Sequence, residues 1–270
     1  MTDTFIDVDD LEWKTAKINR YIQEGPIEKH KYRFELELFE PYASWDALDM
    51  WEDERLESMQ KHIKQGDVLF EVGAEMGLFP AIFSKYMTEN VVLIEPTAEF
   101  WPGIKAIYER NQLKNPLLCW WGFVDDVKEF RGAGKEFSDN PSYNGFPEEN
   151  ELIDYSQVIE KRKYQNLFDD EDYSQTPAVA LDRLCASTDT WPDHISIDVE
   201  GAELLVLKGA EQTLKEEKPL VWVSIHPDML ESLYGQSKED VLFFMDDCGY
   251  DCEILAVDHE THAFFTPKAV

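Results

Sequence analysis

The segment Glu71-Val72-Gly73-Ala74-Glu75-Met76-Gly77 contains the first residues whose types and spacing suit a ligand. Gly73 lets the backbone turn sharply after a strand and lets a ligand approach closely, and Gly77 lets the following helix pack near that strand. An acid, Glu71, stands where the dinucleotide fingerprint Gly-x-Gly-x-x-Gly has its first glycine. A carboxylate there suits a cation or a hydroxyl group. The alternative is an ordinary strand-to-helix turn.

A second acid, Glu95, follows the glycine turn at the distance of roughly twenty residues that separates the turn and the ribose acid in nucleotide-binding folds. Its carboxylate could accept hydrogen bonds from both ribose hydroxyls of an adenosine-containing ligand. A nicotinamide cofactor and S-adenosylmethionine would share this contact, so only the glycine turn distinguishes them. S-adenosylmethionine carries a sulfonium and an amino group but no phosphate, which suits the acid at Glu71.

Two acids and a histidine are predicted to meet at the carboxyl edge of the same sheet. Asp198 and Glu200 face one side if their strand persists, and His226 ends the next strand. These groups could supply a general base or a divalent metal site, with Asp198, Glu200 and His226 as the ligands. The alternatives are charge pairing at a helix N-terminus for Glu200 and Glu203, and a hydrogen-bonded structural histidine for His226.

A regular alternation of elements must position these residues. Short apolar strands alternate with helices, which predicts a parallel, doubly wound sheet covered on both faces. The predicted strands are 68–72, 91–94, 117–124, 194–199 and 220–225, the helices include 78–87, 202–217 and 237–248, and a hairpin of 251–257 and 262–266 ends the chain.

The remaining segments divide the chain into a lead-in and one domain. Residues 1–65 are predicted to pack on the core, with a strand through Tyr32 to Leu38 and a helix that begins near Ser44. Residues 66–270 form the domain, interrupted by an insertion at about 125–175 that includes a helix at about 148–164. The insertion either covers the carboxyl edge of the sheet or is a partly ordered loop.

Composition limits the partners of the protein. The 270 residues include 56 acidic and 25 basic side chains, a net charge of −31, which disfavours nucleic acids and anionic membranes. No apolar run reaches the length of a membrane span, and the N-terminus has no signal-like segment. The four cysteines contain no Cys-x-x-Cys pair, and Cys248 and Cys252 are expected to be buried thiols. We therefore expect a cytoplasmic protein.

The ordered motifs resemble those of the FkbM family of O-methyltransferases. They are Glu71-Val-Gly-Ala-x-x-Gly77, Ile94-Glu95-Pro96, Ile197-Asp-Val-Glu-Gly-Ala-Glu203 with Leu207-Lys-Gly-Ala210, and Ile225-His-Pro227. The resemblance implies a Rossmann-like class I methyltransferase fold, with a mostly parallel seven-stranded sheet, helices on both faces and an antiparallel C-terminal strand. It also implies S-adenosylmethionine as the methyl donor and a hydroxyl acceptor on a sugar or another small metabolite.

By position, the resemblance assigns roles to individual residues. Residues Glu71, Gly73, Ala74 and Gly77 would form the donor loop, Glu95 would bind the ribose, and Asp125 or Asp126 would meet the adenine amino group. Independently of the resemblance, an alcohol needs a base or a metal to become a good nucleophile, and we hypothesise that Asp198 or His226 has this role, with Glu200 as an orienting group or metal ligand. Two other classes of protein compete with this reading: a binding protein that keeps the donor site without catalysis, and a nicotinamide-dependent oxidoreductase.

Overall fold

The computed structural model describes residues 11–24, 27–40, 43, 52–127, 145–147 and 177–269. Helix α1 spans Asp53–His62, whereas the predicted helix start near Ser44 lies outside the described residues. The predicted helix at 148–164 and most of the predicted insertion also lie outside them. Every helix among the described residues is too short or too polar to span a lipid bilayer.

A seven-stranded sheet forms the centre of the protein. Its strands are β3 Val68–Val72, β4 Asn90–Ile94, β5 Leu118–Trp120, β8 His194–Asp198, β9 Leu220–Ile225, β10 Tyr250–Val257 and β11 Thr261–Pro267. They lie in the order β10-β11-β9-β8-β3-β4-β5. Strands β9, β8, β3, β4 and β5 run parallel, and β11 runs antiparallel to β9, which confirms the predicted fold class.

Helices cover both faces of the sheet and enclose two hydrophobic cores. After α1, the helices are α2 Leu78–Tyr86, α3 Trp101–Arg110, α4 Leu181–Thr188, α5 Glu203–Gly209, α6 Glu211–Glu216, α7 Pro227–Tyr234 and α8 Lys238–Asp247. The predicted N-cap of α8 is confirmed, since Ser237 Oγ accepts from Asp240 N at 3.2 Å and the Asp240 carboxylate accepts from Ser237 N at 2.8 Å.

A separate antiparallel hairpin of β1 Trp13–Glu24 and β2 Ile27–Phe39 precedes α1. The alternating residues Phe34, Leu36 and Leu38 are buried in the first core, as their pattern predicts. The backbone of Glu35 exchanges hydrogen bonds of 2.8 and 2.9 Å with the hydroxyl of Tyr86 on α2. These contacts are those expected of a lead-in that packs on the core, and the division into 1–65 and 66–270 stays a prediction.

Two predicted elements are divided in the structure. The predicted strand 117–124 consists of β5 and a separate β6, Phe123–Val124, which pairs in parallel with β7, Ala178–Val179. The chain turns between β5 and β6 at Gly122, where a Cβ atom would lie 2.7 Å from the carbonyl oxygen of Pro177. The predicted helix 202–217 breaks at Ala210 into α5 and α6.

The prediction that both neighbouring C-terminal cysteines are buried was wrong for one of them. Cys248 is buried at the end of α8, whereas Cys252 is exposed on β10. Strand β10 forms one edge of the seven-stranded sheet, and its side chains from Asp251 to Glu253 all face solvent. The edge position therefore explains the exposure of Cys252.

Candidate active site

The glycine turn after β3 packs directly against the end of β8. Gly73 has a φ of +94°, and a Cβ atom there would lie 1.8 Å from the carbonyl oxygen of Asp198. The carbonyl oxygen of Ile94 accepts hydrogen bonds from Gly73 N at 2.9 Å and from Ala74 N at 3.0 Å. Only glycine fits this position, because any side chain would overlap the backbone of the neighbouring strand. The turn thus lies beside the predicted catalytic edge.

Gly77 closes the turn and precedes α2. Its φ is +88°, and a Cβ atom would lie 3.1 to 3.2 Å from atoms of Ile104 on α3. The expectation that Gly77 lets the helix pack near the strand therefore needs correction, because the close neighbour is α3 and not the strand. The glycine allows α2 and α3 to approach each other.

Glu95 links the glycine turn to the loop after β4. One carboxylate oxygen accepts from Glu75 N at 2.8 Å and the other accepts from Thr97 N at 2.7 Å. Burial raises the pKa of Glu95 to about 7, although these hydrogen bonds act in the opposite direction. A carboxylate offers about four lone-pair positions, so each oxygen can accept a further hydrogen bond. The carboxylate of Glu95 can therefore accept hydrogen bonds from two hydroxyl groups.

Asp125 and Asp126 follow β6, at the boundary of the described residues. Asp125 N donates to the carbonyl oxygen of Val179 at 3.2 Å, and Asp125 Oδ1 accepts from Val127 N at 2.9 Å. The backbone of Asp125 also lies against α5, since a Cβ atom on Gly209 would be 2.1 Å from its carbonyl oxygen. Asp126 is exposed. A contact of either residue with adenine stays a prediction.

Polar side chains on one face of the sheet surround Arg55 of α1. The guanidinium is 1% exposed, and Arg55 Nη1 also contacts Glu52. The same Nη1 atom lies 3.2 Å from Asp198 Oδ2 and 3.1 Å from Ser224 Oγ. The Nη2 atom lies 2.5 Å from Ser196 Oγ and 3.7 Å from Glu71 Oε1. One arginine therefore holds three strands and three carboxylates together.

Glu71 is buried in this network. Burial raises the pKa of Glu71 to about 8, although the charge of Arg55 opposes that effect. Its Oε2 atom is buried and accepts no hydrogen bond from the described residues. Glu71, which is predicted to belong to the donor loop, thus has its side chain beside Arg55, beneath the turn.

His226 brings the predicted catalytic residues together. Its Nδ1 atom donates to Glu203 Oε1 at 2.8 Å, and its Nε2 atom lies 3.8 Å from Asp198 Oδ1, 3.6 Å from Glu200 Oε2 and 3.0 Å from Glu260 Oε2. Strand β8 ends at Asp198, and Glu200 has a left-handed φ of +52°. The turn, rather than a continued strand, directs Glu200 towards the histidine.

The four carboxylates determine the charge of His226. Burial alone would lower the pKa of His226, but the hydrogen bond to Glu203, the nearby carboxylate of Glu260 and the charge of Asp198 outweigh it and raise the pKa to about 11. The free protein therefore holds an imidazolium at neutral pH. An imidazolium has no lone pair with which to accept a proton.

Two groups of described residues have the donor atoms and spacing of a metal site. The first comprises Asp198, His226 and Glu260, and the second comprises Asp258, Glu260 and His262; within each group the ligand atoms lie within 4.8 Å of one another. Glu200 contacts His226 but belongs to neither group. Its predicted place in a metal site is taken by Glu260 in the first group.

Arg55 and Glu260 are two residues of the site that were not predicted from the sequence. Polar residues at alternate positions of apolar strands, namely Glu71 in β3, Ser196 and Asp198 in β8 and Ser224 in β9, were a signal for a buried cation. That signal points to a charge but does not identify which helix supplies it. Glu260 lies in the hairpin turn between β10 and β11, where an acid has no distinguishing pattern.

Solved structures with similar folds include several methyltransferases. Precorrin-6y C5,15-methyltransferase from Geobacter metallireducens is 12% identical, with 81% of this chain and 88% of that chain covered and a TM-score of 0.45. Methyltransferase FkbM from Methylobacillus flagellatus is 16% identical, with coverages of 74% and 43% and a TM-score of 0.35. M. jannaschii TYW2 in complex with AdoMet is 11% identical, with coverages of 93% and 87% and a TM-score of 0.37.

Sequence comparison assigns the family. No curated protein sequence matches the chain. The family model for the Methyltransferase FkbM domain matches residues 71–252, which include the glycine turn, Glu95, Asp198 and His226. This match covers more than half of the chain, and the chain therefore belongs to the FkbM family of S-adenosylmethionine-dependent methyltransferases.

Proposed function

We propose that the protein is an O-methyltransferase that transfers the methyl group of S-adenosylmethionine to a hydroxyl of a sugar or another small metabolite. The observation that carries the proposal is the contact between the predicted donor loop and the acidic edge, where Gly73 has no room for a Cβ atom beside Asp198. A methyl group bound above the loop would lie next to groups able to activate a hydroxyl. The strongly acidic composition supports a small acceptor over a nucleic acid.

The donor would lie across the ends of β3 and β4. Its ribose hydroxyls would donate to Glu95, whose two oxygens already hold the loops on either side. The turn of Gly73, Ala74 and Gly77 would contact the methionine part, Glu71 would lie below it, and Asp125 or Asp126 would meet the adenine. A cytoplasmic location, where this donor is made and used, belongs to the same proposal.

The transfer is a direct displacement. The acceptor oxygen forms a bond to the methyl carbon as the carbon–sulfur bond breaks, which leaves S-adenosylhomocysteine, and the hydroxyl proton must go to a base. Asp198 is the better placed base, because His226 is already protonated in the free protein. His226 would hold Asp198 and Glu200 in position, and alignment of oxygen, carbon and sulfur would supply much of the rate.

The test is transfer of a radioactive methyl group to a panel of sugars and small hydroxylated metabolites by wild-type protein and Asp198→Asn. We expect the asparagine variant to lose at least about a hundredfold in turnover, the usual contribution of general base catalysis. Its affinity for S-adenosylhomocysteine should be unchanged. An ether product resists alkali, whereas a methyl ester does not, which separates hydroxyl from carboxyl acceptors. Full turnover by Asp198→Asn would contradict the assignment.

A further inference from the structure

We infer that Asp198, His226 and Glu260 form a binding site for one divalent metal ion. The facing atoms are Asp198 Oδ1, His226 Nε2 and Glu260 Oε2, and all three lie within 4.8 Å of one another. Ligand atoms about 2.1 Å from one ion lie roughly 3.0 Å apart at a right angle and no more than about 4.2 Å apart. The separations of 3.0 Å and 3.8 Å from His226 Nε2 fall within that range.

Hydrogen bonds on the outer side hold two of these ligands in the orientation that a metal requires. Glu203, which is fully buried, accepts from His226 Nδ1 at 2.8 Å, so Nε2 is directed towards the two carboxylates. Histidines that bind metals almost always donate their other ring N–H in this way. Arg55 Nη1 lies 3.2 Å from Asp198 Oδ2, which leaves Asp198 Oδ1 directed towards the histidine.

Glu260 gives an independent indication of a bound cation. The residue is 3% exposed, and its buried Oε2 atom receives no hydrogen bond of normal geometry from the described residues, although His226 Nε2 lies 3.0 Å away. A buried carboxylate oxygen without a donor is costly. A metal ion between Glu260, Asp198 and His226 would take the place of the Nε2 proton of the imidazolium, which would be released on binding, and would coordinate this carboxylate oxygen directly.

The neighbouring group of Asp258, Glu260 and His262 competes for the same carboxylate. Asp258 is exposed, and His262 Nδ1 faces the hydroxyl of Ser224 at 3.3 Å, whereas His226 Nδ1 faces the carboxylate of Glu203. The first group also borders the glycine turn, through Asp198. We therefore assign the ion to Asp198, His226 and Glu260.

The role of the ion rests on the proposed function. With Asp198 bound to the ion, this aspartate would act through the metal rather than as the base itself: the metal would bind the acceptor hydroxyl oxygen and lower its pKa, so that the hydroxyl releases its proton to water. The oxygen would then form its bond to the methyl carbon as the carbon–sulfur bond of the donor breaks. A mixed set of imidazole and carboxylate ligands suits Mn²⁺, Fe²⁺ or Zn²⁺, and Mn²⁺ is the probe used below.

The experiment measures Mn²⁺ binding to the full chain after treatment with a chelator, in high-salt buffer that suppresses adsorption to surface acids. Free Mn²⁺ is followed by electron paramagnetic resonance, and pulsed measurements detect nitrogen coupling to bound Mn²⁺. We expect one saturable ion per chain with nitrogen coupling. His226→Gln should abolish the coupling, and His226→Gln and Glu260→Gln should each weaken binding at least about tenfold. Glu203→Gln should weaken it about tenfold to a hundredfold.

Asp258→Asn is the matched control, since it removes an acid only from the competing group, and it should bind Mn²⁺ as the wild type does. Melting curves establish that each variant is folded. Absence of saturable binding in the wild type, wild-type binding by His226→Gln, or loss of binding only in Asp258→Asn would overturn the assignment. Affinity for S-adenosylhomocysteine is measured on the same samples, so failure of the metal site and failure of the donor site are distinguished.

Discussion

Buried carboxylates around Arg55 determine the chemistry of the site at the residue scale. The guanidinium contacts Glu52, Glu71 and Asp198, and one positive charge cannot balance three negative charges. Burial raises the pKa of Glu52 to about 7 and that of Glu71 to about 8, despite the charge of Arg55. Near neutral pH part of this negative charge is therefore removed by protonation. The network is sensitive to pH and to added cations.

Glu71→Gln should remove a dependence of stability on pH. The pKa of Glu71 rises from 4.5 to about 8 in the folded protein, so between these values the folded state keeps a proton that the unfolded state releases. The contribution of Glu71 to the stability of the wild type is therefore full below pH 4.5, falls by at most about 1.4 kcal/mol per pH unit, and levels off above pH 8.

Urea denaturation of the two proteins from pH 5 to pH 9 measures this difference. We expect the free energy of unfolding of Glu71→Gln to increase relative to that of the wild type as pH rises. The difference between the two should become constant above pH 8. Glu253→Gln, at an exposed position on β10, is the control and should keep the wild-type profile. Parallel profiles for Glu71→Gln and the wild type would contradict the prediction.

At the scale of elements, the local pattern predicts the strands well and the polar network poorly. Apolar runs such as Val68–Val72 and Leu220–Ile225 match the observed strands because burial on both faces requires continuous apolar residues. The partner of Glu71 could not be predicted in this way. The sheet order places β3 beside β8 and β8 beside β9, and only this order brings Ser196 and Ser224 to the same arginine.

The glycine turn depends on the same order of strands. At Gly73, Ala must adopt a φ of +94° and place its Cβ atom 1.8 Å from Asp198 O, whereas Gly249 has a φ of +87° with open space around it. We expect Gly249→Ala to cost about 1 kcal/mol of stability, the cost of a left-handed φ. Gly73→Ala should cost several kcal/mol, on the order of 3 or more, since β3 and β8 must also separate.

Urea denaturation measures both variants of this pair, and calorimetry measures their affinity for S-adenosylhomocysteine. Gly249→Ala should bind the product as the wild type does, whereas Gly73→Ala should bind it weakly even where it is folded. Equal losses of stability in the two variants would show that φ alone, and not the contact with β8, requires glycine at the turn.

At the scale of the whole molecule, the two faces of the sheet differ in polarity. Residues of β3, β8 and β9 that face the second core, such as Phe70, Ile195 and Val223, are all apolar and fully buried. The opposite face carries the polar residues that surround Arg55. The hydrophobic pattern was sufficient to predict the sheet, because both faces are buried. It could not predict Glu260, which the C-terminal hairpin brings to the edge from the far end of the chain.

Binding of the donor product should stabilise the entire fold. A ligand that binds only the folded state adds about 2.7 kcal/mol of stability at a hundred times its dissociation constant, and for a chain of this size 1 kcal/mol raises Tm by about 2–4 °C. We therefore expect S-adenosylhomocysteine to raise Tm by roughly 5–10 °C, and NAD to leave it unchanged, in thermal denaturation followed by circular dichroism. Glu95→Gln should reduce the shift, since Glu95 is the proposed ribose acceptor. A shift with NAD and none with S-adenosylhomocysteine would favour the oxidoreductase alternative and contradict the proposed donor site.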